Sequence, residues 1–221
     1  MSAEAAGTGI LDPGIFALAL TGAAPVVVML AWGVVRSGRA SVWTTMAVCL
    51  GALGILSLLT GEVRAGDRPS LAVAVLLGLG AGVVLYLGTA LFLSLARGWT
   101  LLRRHAGELY ARRGGLPVGA AVALAAGISA GGEELLWRGL FQGVAAGAMG
   151  TVAGAAVAWV IYVIANAVSG SVPISLAAAV GGAVWTALAA WTGGVAGSLA
   201  CHAVWTGLMV ALPPLPTEDR T

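Results

Sequence analysis

The chain contains no lysine. All 11 of its basic residues are arginines, set against 9 acidic residues, and charged residues make up only 9% of the 221 positions. With 59% hydrophobic residues and a mean hydropathy of +0.98, this scarcity excludes an ordinary soluble domain, in which about a quarter of residues are charged. Cysteine is almost absent too. Cys49 and Cys201 stand far apart, each inside an apolar run, which argues against a disulfide framework or a metal knuckle and for two small core residues. No His-Glu-x-x-His occurs, and His105 sits in a basic stretch, so neither a catalytic zinc nor any other metal or cofactor is expected. Residues 1–12 lack the basic region of a secretory signal, so the first apolar run is expected to stay as an anchor.

What is present is a series of apolar runs long enough to cross ~30 Å of hydrocarbon. They lie near 14–35, 42–60, 71–96, 117–147, 151–168, 172–190 and 194–212. The expectation is an all-α polytopic transmembrane bundle of seven spans, with eight as the alternative. The fourth run is too long for one straight crossing, and Pro117 with several glycines offers a place to break or tilt it. Arg97, Arg103, Arg104, Arg112 and Arg113, against Glu108 alone, mark residues 97–116 as cytoplasmic, and Arg36 and Arg39 agree. The 61–70 connection balances Glu62 and Asp67 with Arg64 and Arg68, and the N-terminus carries Glu4 and Asp12, so both read as external. The whole, residues 1–221, reads as one integral membrane domain. Its parts are spans 1–3 (14–96), the basic segment 97–116 and a four-span core (117–212). Within the basic segment, Trp99, Leu101, Leu102, Leu109 and Tyr110 alternate with arginines. That suits either an interfacial helix facing anionic headgroups or a basic loop with an aromatic anchor.

Glycines recur at four-residue spacing in Gly78/Gly82, Gly143/Gly147, Gly150/Gly154 and Gly193/Gly197, a pattern that permits close helix approach in lipid. Gly78-Leu79-Gly80-Ala81-Gly82 superficially resembles a nucleotide loop. With no strand before it, it reads as a packing face.

Against this background the segment Glu133-Glu134-Leu135-Leu136-Trp137-Arg138 is the first candidate for a site. Each ionised group at mid-bilayer costs roughly 2.5–3.5 kcal/mol, so such charges pair, face a wet cavity or serve a function. At about 100° per residue Glu134 and Arg138 share a helix face, which makes them the natural ion pair, whereas Glu133 points elsewhere and is free to act as a general base. A packing network of the three is the alternative. Asn166, four residues after Tyr162, shares a face with it and either contacts water or substrate or bonds a neighbouring helix. His202 lies in the last run with Thr206 one turn on and Trp205 nearby. It is either a hydrogen-bonding member of a site, with Thr206 as an oxyanion donor, or a core histidine satisfied by a carbonyl.

In order and spacing, Glu-Glu-x-x-x-Arg, Tyr162-x-x-x-Asn166 and His202-x-x-x-Thr206, with Trp191-Thr192-Gly193-Gly194 before the last, resemble the CPBP family of intramembrane proteases over residues 117–212. That family includes the type II prenyl-protein (CAAX) endopeptidases and the bacteriocin-processing and immunity proteins. The resemblance implies glutamate-type hydrolysis of a peptide or prenylated protein substrate. It makes Glu133 the base, Glu134 and Arg138 its support, and His202 an oxyanion-hole donor. Asn166 stands where the family has His, and Thr206 where it has Asn or Asp. Asn positions water but accepts no proton at neutral pH, so the acid/base pair is halved.

Two readings follow: an intramembrane endopeptidase with a degenerate second motif, or an inactive relative serving as a peptide- or membrane-protein-binding immunity or scaffold protein. A transporter or lipid-modifying enzyme would call for half-helices or aspartate-rich diphosphate motifs, neither of which is evident. Membrane lipids are the expected surroundings, in a bacterial plasma membrane, and no nucleic-acid partner is expected.

Overall fold

A computed structural model of the chain describes residues 12–66, 68–113 and 115–214. Glu4 and Asp67, used above to read the external side, lie outside the described residues. Among those described there are eight helices and no strand. They are α1 (Pro13–Arg36), α2 (Val42–Leu59), α3 (Leu71–Leu95), α4 (Thr100–Ala111), α5 (Val118–Met149), α6 (Thr151–Ala167), α7 (Val172–Thr192) and α8 (Ala196–Ala211).

Local chemistry sets the boundaries. Asp12 caps α1, its Oδ1 accepting from the amides of Gly14 at 2.7 Å and Ile15 at 3.2 Å, with Pro13 at the first position where no donor is missed. Ser70 caps α3 through the Val73 amide. Gly193 ends α7 at φ +72°, a conformation that suits glycine, and its neighbour Gly194 leads into α8.

Five helices are long and apolar enough to cross a membrane: α1, α2, α3, α5 and α7. α6 and α8 are apolar but shorter, at 17 and 16 residues, so only five of the seven expected spans meet that length. The outward faces carry large apolar side chains, such as Leu95 at 78% and Val152 at 85% exposure, an arrangement stable in lipid and costly in water. The protein is an integral membrane protein. α4 differs from the rest. Leu102 and Ala106 are buried four residues apart while Arg103, Arg104 and Glu108 face out, the pattern of a helix lying on a surface.

The long fourth run does not break at Pro117, which instead precedes the first turn of α5. The helix continues through two π-helical stretches, Ala123–Ser129 and Glu134–Phe141. Such stretches re-aim side chains and recur at functional positions.

Glycine contacts decide the crossings. A Cβ on Gly132 would land on the Leu50 carbonyl, and one on Gly54 would meet Gly132, so α2 and α5 touch backbone to backbone. Gly78 and Gly82 abut the backbone of Gly197 and Cys201, joining α3 to α8. Gly143 and Gly147 meet nothing, so that pair is not a close-packing site; Gly150 serves the α5–α6 turn at φ +86°, and only Gly154 packs closely. Both cysteines are free, Cys201 fully buried and Cys49 partly so. On the side of the 61–66 connection, Val195 and Ala196 amides donate to the Arg64 and Ala65 carbonyls at 2.9 Å each, laying that connection across the α7–α8 turn.

Candidate membrane-embedded active site

The second π-helical stretch begins at Glu134, and both glutamates are buried, Glu134 completely and Glu133 to 9% exposure. Arg138 Nη1 stands 3.3 Å from Glu134 Oε1, held by charge rather than by an aligned hydrogen bond. The guanidinium lies over the Tyr162 ring at 4.2 Å, and its Nη2 donates to the Gly182 carbonyl at 3.2 Å. Gly182 is small for this reason: a Cβ there would press on Tyr162 and approach Arg138.

α8 brings His202 between the two carboxylates. Its Nδ1 is 2.8 Å from Glu134 Oε1 and its Nε2 is 3.8 Å from Glu133 Oε2. Because Glu134 Oε1 also faces Arg138, it is an acceptor, and the hydrogen-bond pattern assigns the ring hydrogen to Nδ1. Nε2 is then the ring nitrogen that faces Glu133. From α6, the Tyr162 hydroxyl donates to Glu133 Oε2 at 2.9 Å. Glu133 therefore has a phenol on one side and an imidazole nitrogen on the other.

The sequence places Asn166 on the Tyr162 face of α6, and both line the same cavity as Glu133. The hydrogen bonds of Asn166 go elsewhere than to Glu133. Its Oδ1 accepts from Trp32 Nε1 at 3.2 Å and its Nδ2 donates to the Tyr162 carbonyl at 3.0 Å, tying α6 to α1. Thr206 also lines the cavity, and its buried hydroxyl makes no hydrogen bond among the described residues. Motif spacing alone did not single out Trp185. It stacks on His202 and lies 5.4 Å from the Arg138 guanidinium, and the local signal is the Gly181-Gly182 pair preceding it, which leaves room for large partners.

The cavity encloses about 710 Å³. It runs from Glu133 to Leu102, Ala106 and Tyr110 of the surface helix α4, and apart from the polar groups named and the hydroxyls of Thr89 and Ser129 its walls are mainly aliphatic and aromatic. Such a space suits an apolar or amphipathic ligand with a small number of polar contacts at its reactive end. Among the described residues no group of three or more His, Cys, Asp or Glu side chains could hold a metal ion.

A helical membrane protein with two buried carboxylates, an imidazole and an arginine clustered together, one carboxylate opening onto an apolar cavity, belongs to the class of membrane-embedded proteins with a polar site in the bundle core. Residues 113–208, which carry all of these groups, match the family model for type II CAAX prenyl endopeptidase, Rce1-like, so that somewhat less than half of the chain is similar to this family of CPBP proteases. No characterised protein and no solved structure gives a significant match.

Proposed function

We propose that the protein is a glutamate-type intramembrane endopeptidase that hydrolyses a peptide or prenylated protein substrate entering the apolar cavity. One observation carries the reading: Glu133 faces that cavity with His202 Nε2 3.8 Å away and the Tyr162 hydroxyl in hydrogen-bond contact. In this mechanism Glu133 takes a proton from a substrate water as the hydroxide adds to the scissile carbonyl, and the same proton passes to the leaving amine. The bases available for that proton are Glu133 and His202, so His202 supplies the second acid/base group that Asn166 does not. Glu134 and Arg138 hold the imidazole tautomer. Thr206, with a free hydroxyl on the cavity wall, is the candidate donor to the oxyanion, and Asn166 positions Tyr162 and α1.

The same reading takes the chain as one domain of seven spans, with α6 and α8 as short crossings and the arginine-rich α4 on the cytoplasmic face of a bacterial plasma membrane. A second reading, an inactive relative that binds peptides or membrane proteins, draws on the engagement of both polar ends of Asn166 by Trp32 and the Tyr162 backbone. Purified protein and its Glu133→Gln form, given a prenylated peptide and its unprenylated counterpart, separate the two. Cleavage lost in the variant supports the endopeptidase; binding without cleavage supports the relative.

A further inference from the structure

A smaller polar pocket, about 140 Å³, lies among the end of α1, the surface helix α4 and the connection between α6 and α7. Its polar lining comprises Arg36, His105, Glu108, Arg112, Ser169 and Ser171. Trp32, Val42, Leu109 and Ile174 line both this pocket and the large apolar cavity, so a polar compartment and an oily one share a wall. Arg36 Nη1 donates to the Val168 carbonyl at 3.0 Å, which fixes the guanidinium and leaves its other donors available. The Val172 amide donates to His105 Nδ1 at 3.2 Å, so the ring hydrogen sits on Nε2, a second donor. Glu108 is the one acidic residue in the lining, and Arg104 stands 3.8 Å from it. The amides that begin α7 are spent inside the protein, Ser171 on Ser169 Oγ and Val172 on His105, and Pro173 has none. Side chains, not the helix terminus, are therefore the ligand donors.

We propose that this pocket binds the phosphate headgroup of an anionic membrane lipid, with the lipid chains lying along the shared wall of Trp32, Val42, Leu109 and Ile174. Guanidinium forks match phosphate oxygens in pairs, and basic pockets between membrane helices at the interface select anionic lipids. Free phosphate would satisfy the arginines but gain nothing from the apolar wall. The proposal does not depend on the hydrolase reading.

The test is lipid retention by the full chain in detergent, measured by native mass spectrometry in an equal mixture of phosphatidylglycerol and phosphatidylcholine. Arg36→Gln with Arg112→Gln is expected to lower phosphatidylglycerol retention about tenfold and leave phosphatidylcholine unchanged. Arg97→Gln with Arg103→Gln removes equal charge from arginines that do not line the pocket and is expected to change it less than about twofold. Arg112→Gln alone, with its thermal unfolding recorded, gives the same direction should the Arg36 change disturb the α6–α7 connection. Equal losses from both pairs would reduce the effect to general surface charge and overturn the proposal. Displacement of phosphatidylglycerol by millimolar inorganic phosphate would assign the pocket to a soluble anion. If the Arg36/Arg112 pair weakened only binding of a peptide with a free C-terminal carboxylate, the site would belong to substrate, and the lipid assignment would fail.

Discussion

Trp185 lies flat on His202, ring centroids 3.6 Å apart and planes 13° from parallel. With Nδ1 held by Glu134, this stack leaves the imidazole one orientation, in which Nε2 faces Glu133. A site built on helices and locked by packing of this kind keeps its geometry without help from loops.

Replacing Trp185 by Ala removes the stacking face and a buried volume, at a cost of about 3–5 kcal/mol in stability. Trp185→Phe keeps a ring under the imidazole. The expected order of peptide cleavage is wild type, then Phe, then Ala, with KM changing less than kcat; equal kcat in all three would mean that the stack does not position His202.

Arg138→Leu strips the partner from a fully buried Glu134 and should destabilise the protein by about 3–5 kcal/mol, seen as a lower unfolding temperature in detergent. Combining it with Glu134→Leu removes the orphaned charge and is expected to recover much of that loss. Failure of the double variant to recover would locate the cost elsewhere, most directly in the contacts of Arg138 with Tyr162 and Gly182.

Gly132→Ala drives a methyl group into the Leu50 backbone, so α2 and α5 must separate; a loss of about 1–3 kcal/mol is expected. Gly22→Ala, whose Cβ meets nothing, serves as the control and should be neutral or slightly stabilising. Matching unfolding temperatures for the two variants would contradict the close crossing.

On α4, burial and then the neighbouring Tyr86 push the Tyr110 hydroxyl up to about 12, and the hydroxyl donates to the Met209 carbonyl at 2.9 Å. The folded form thus favours protonated Tyr110. Its contribution to stability is complete below pH ~10, the ordinary tyrosine value, and is lost as pH rises toward about 12. Tyr110→Phe should abolish that part of the alkaline loss, measured by unfolding between pH 9 and about pH 12; an unchanged profile would contradict the assignment.

Much of this was legible in the residues. Charges isolated in apolar runs are conspicuous because lipid penalises them, and the four-residue spacing of Glu134 and Arg138 carried directly into the ion pair. The seating of Asn166 was not legible, because its partner Trp32 is 134 residues away and no local pattern ties them. The same holds for Trp185, whose role comes from the α7–α8 packing. The π-helical stretches escaped because a composition of Ala, Gly and Leu is compatible with α and π turns alike, and the choice is made by neighbouring helices. Span length was less legible in α6 and α8, whose apolar runs extend past the helix ends.

The central claim is that Glu133 and His202 act on one water as a unit. Cleavage kinetics of Glu133→Gln, His202→Gln and the double variant test it most directly. Each single change is expected to cost about 10²–10⁴ in kcat/KM, and the double variant no more than the worse of the two. Full additivity of the two losses, or no cleavage by the wild-type protein, would contradict it.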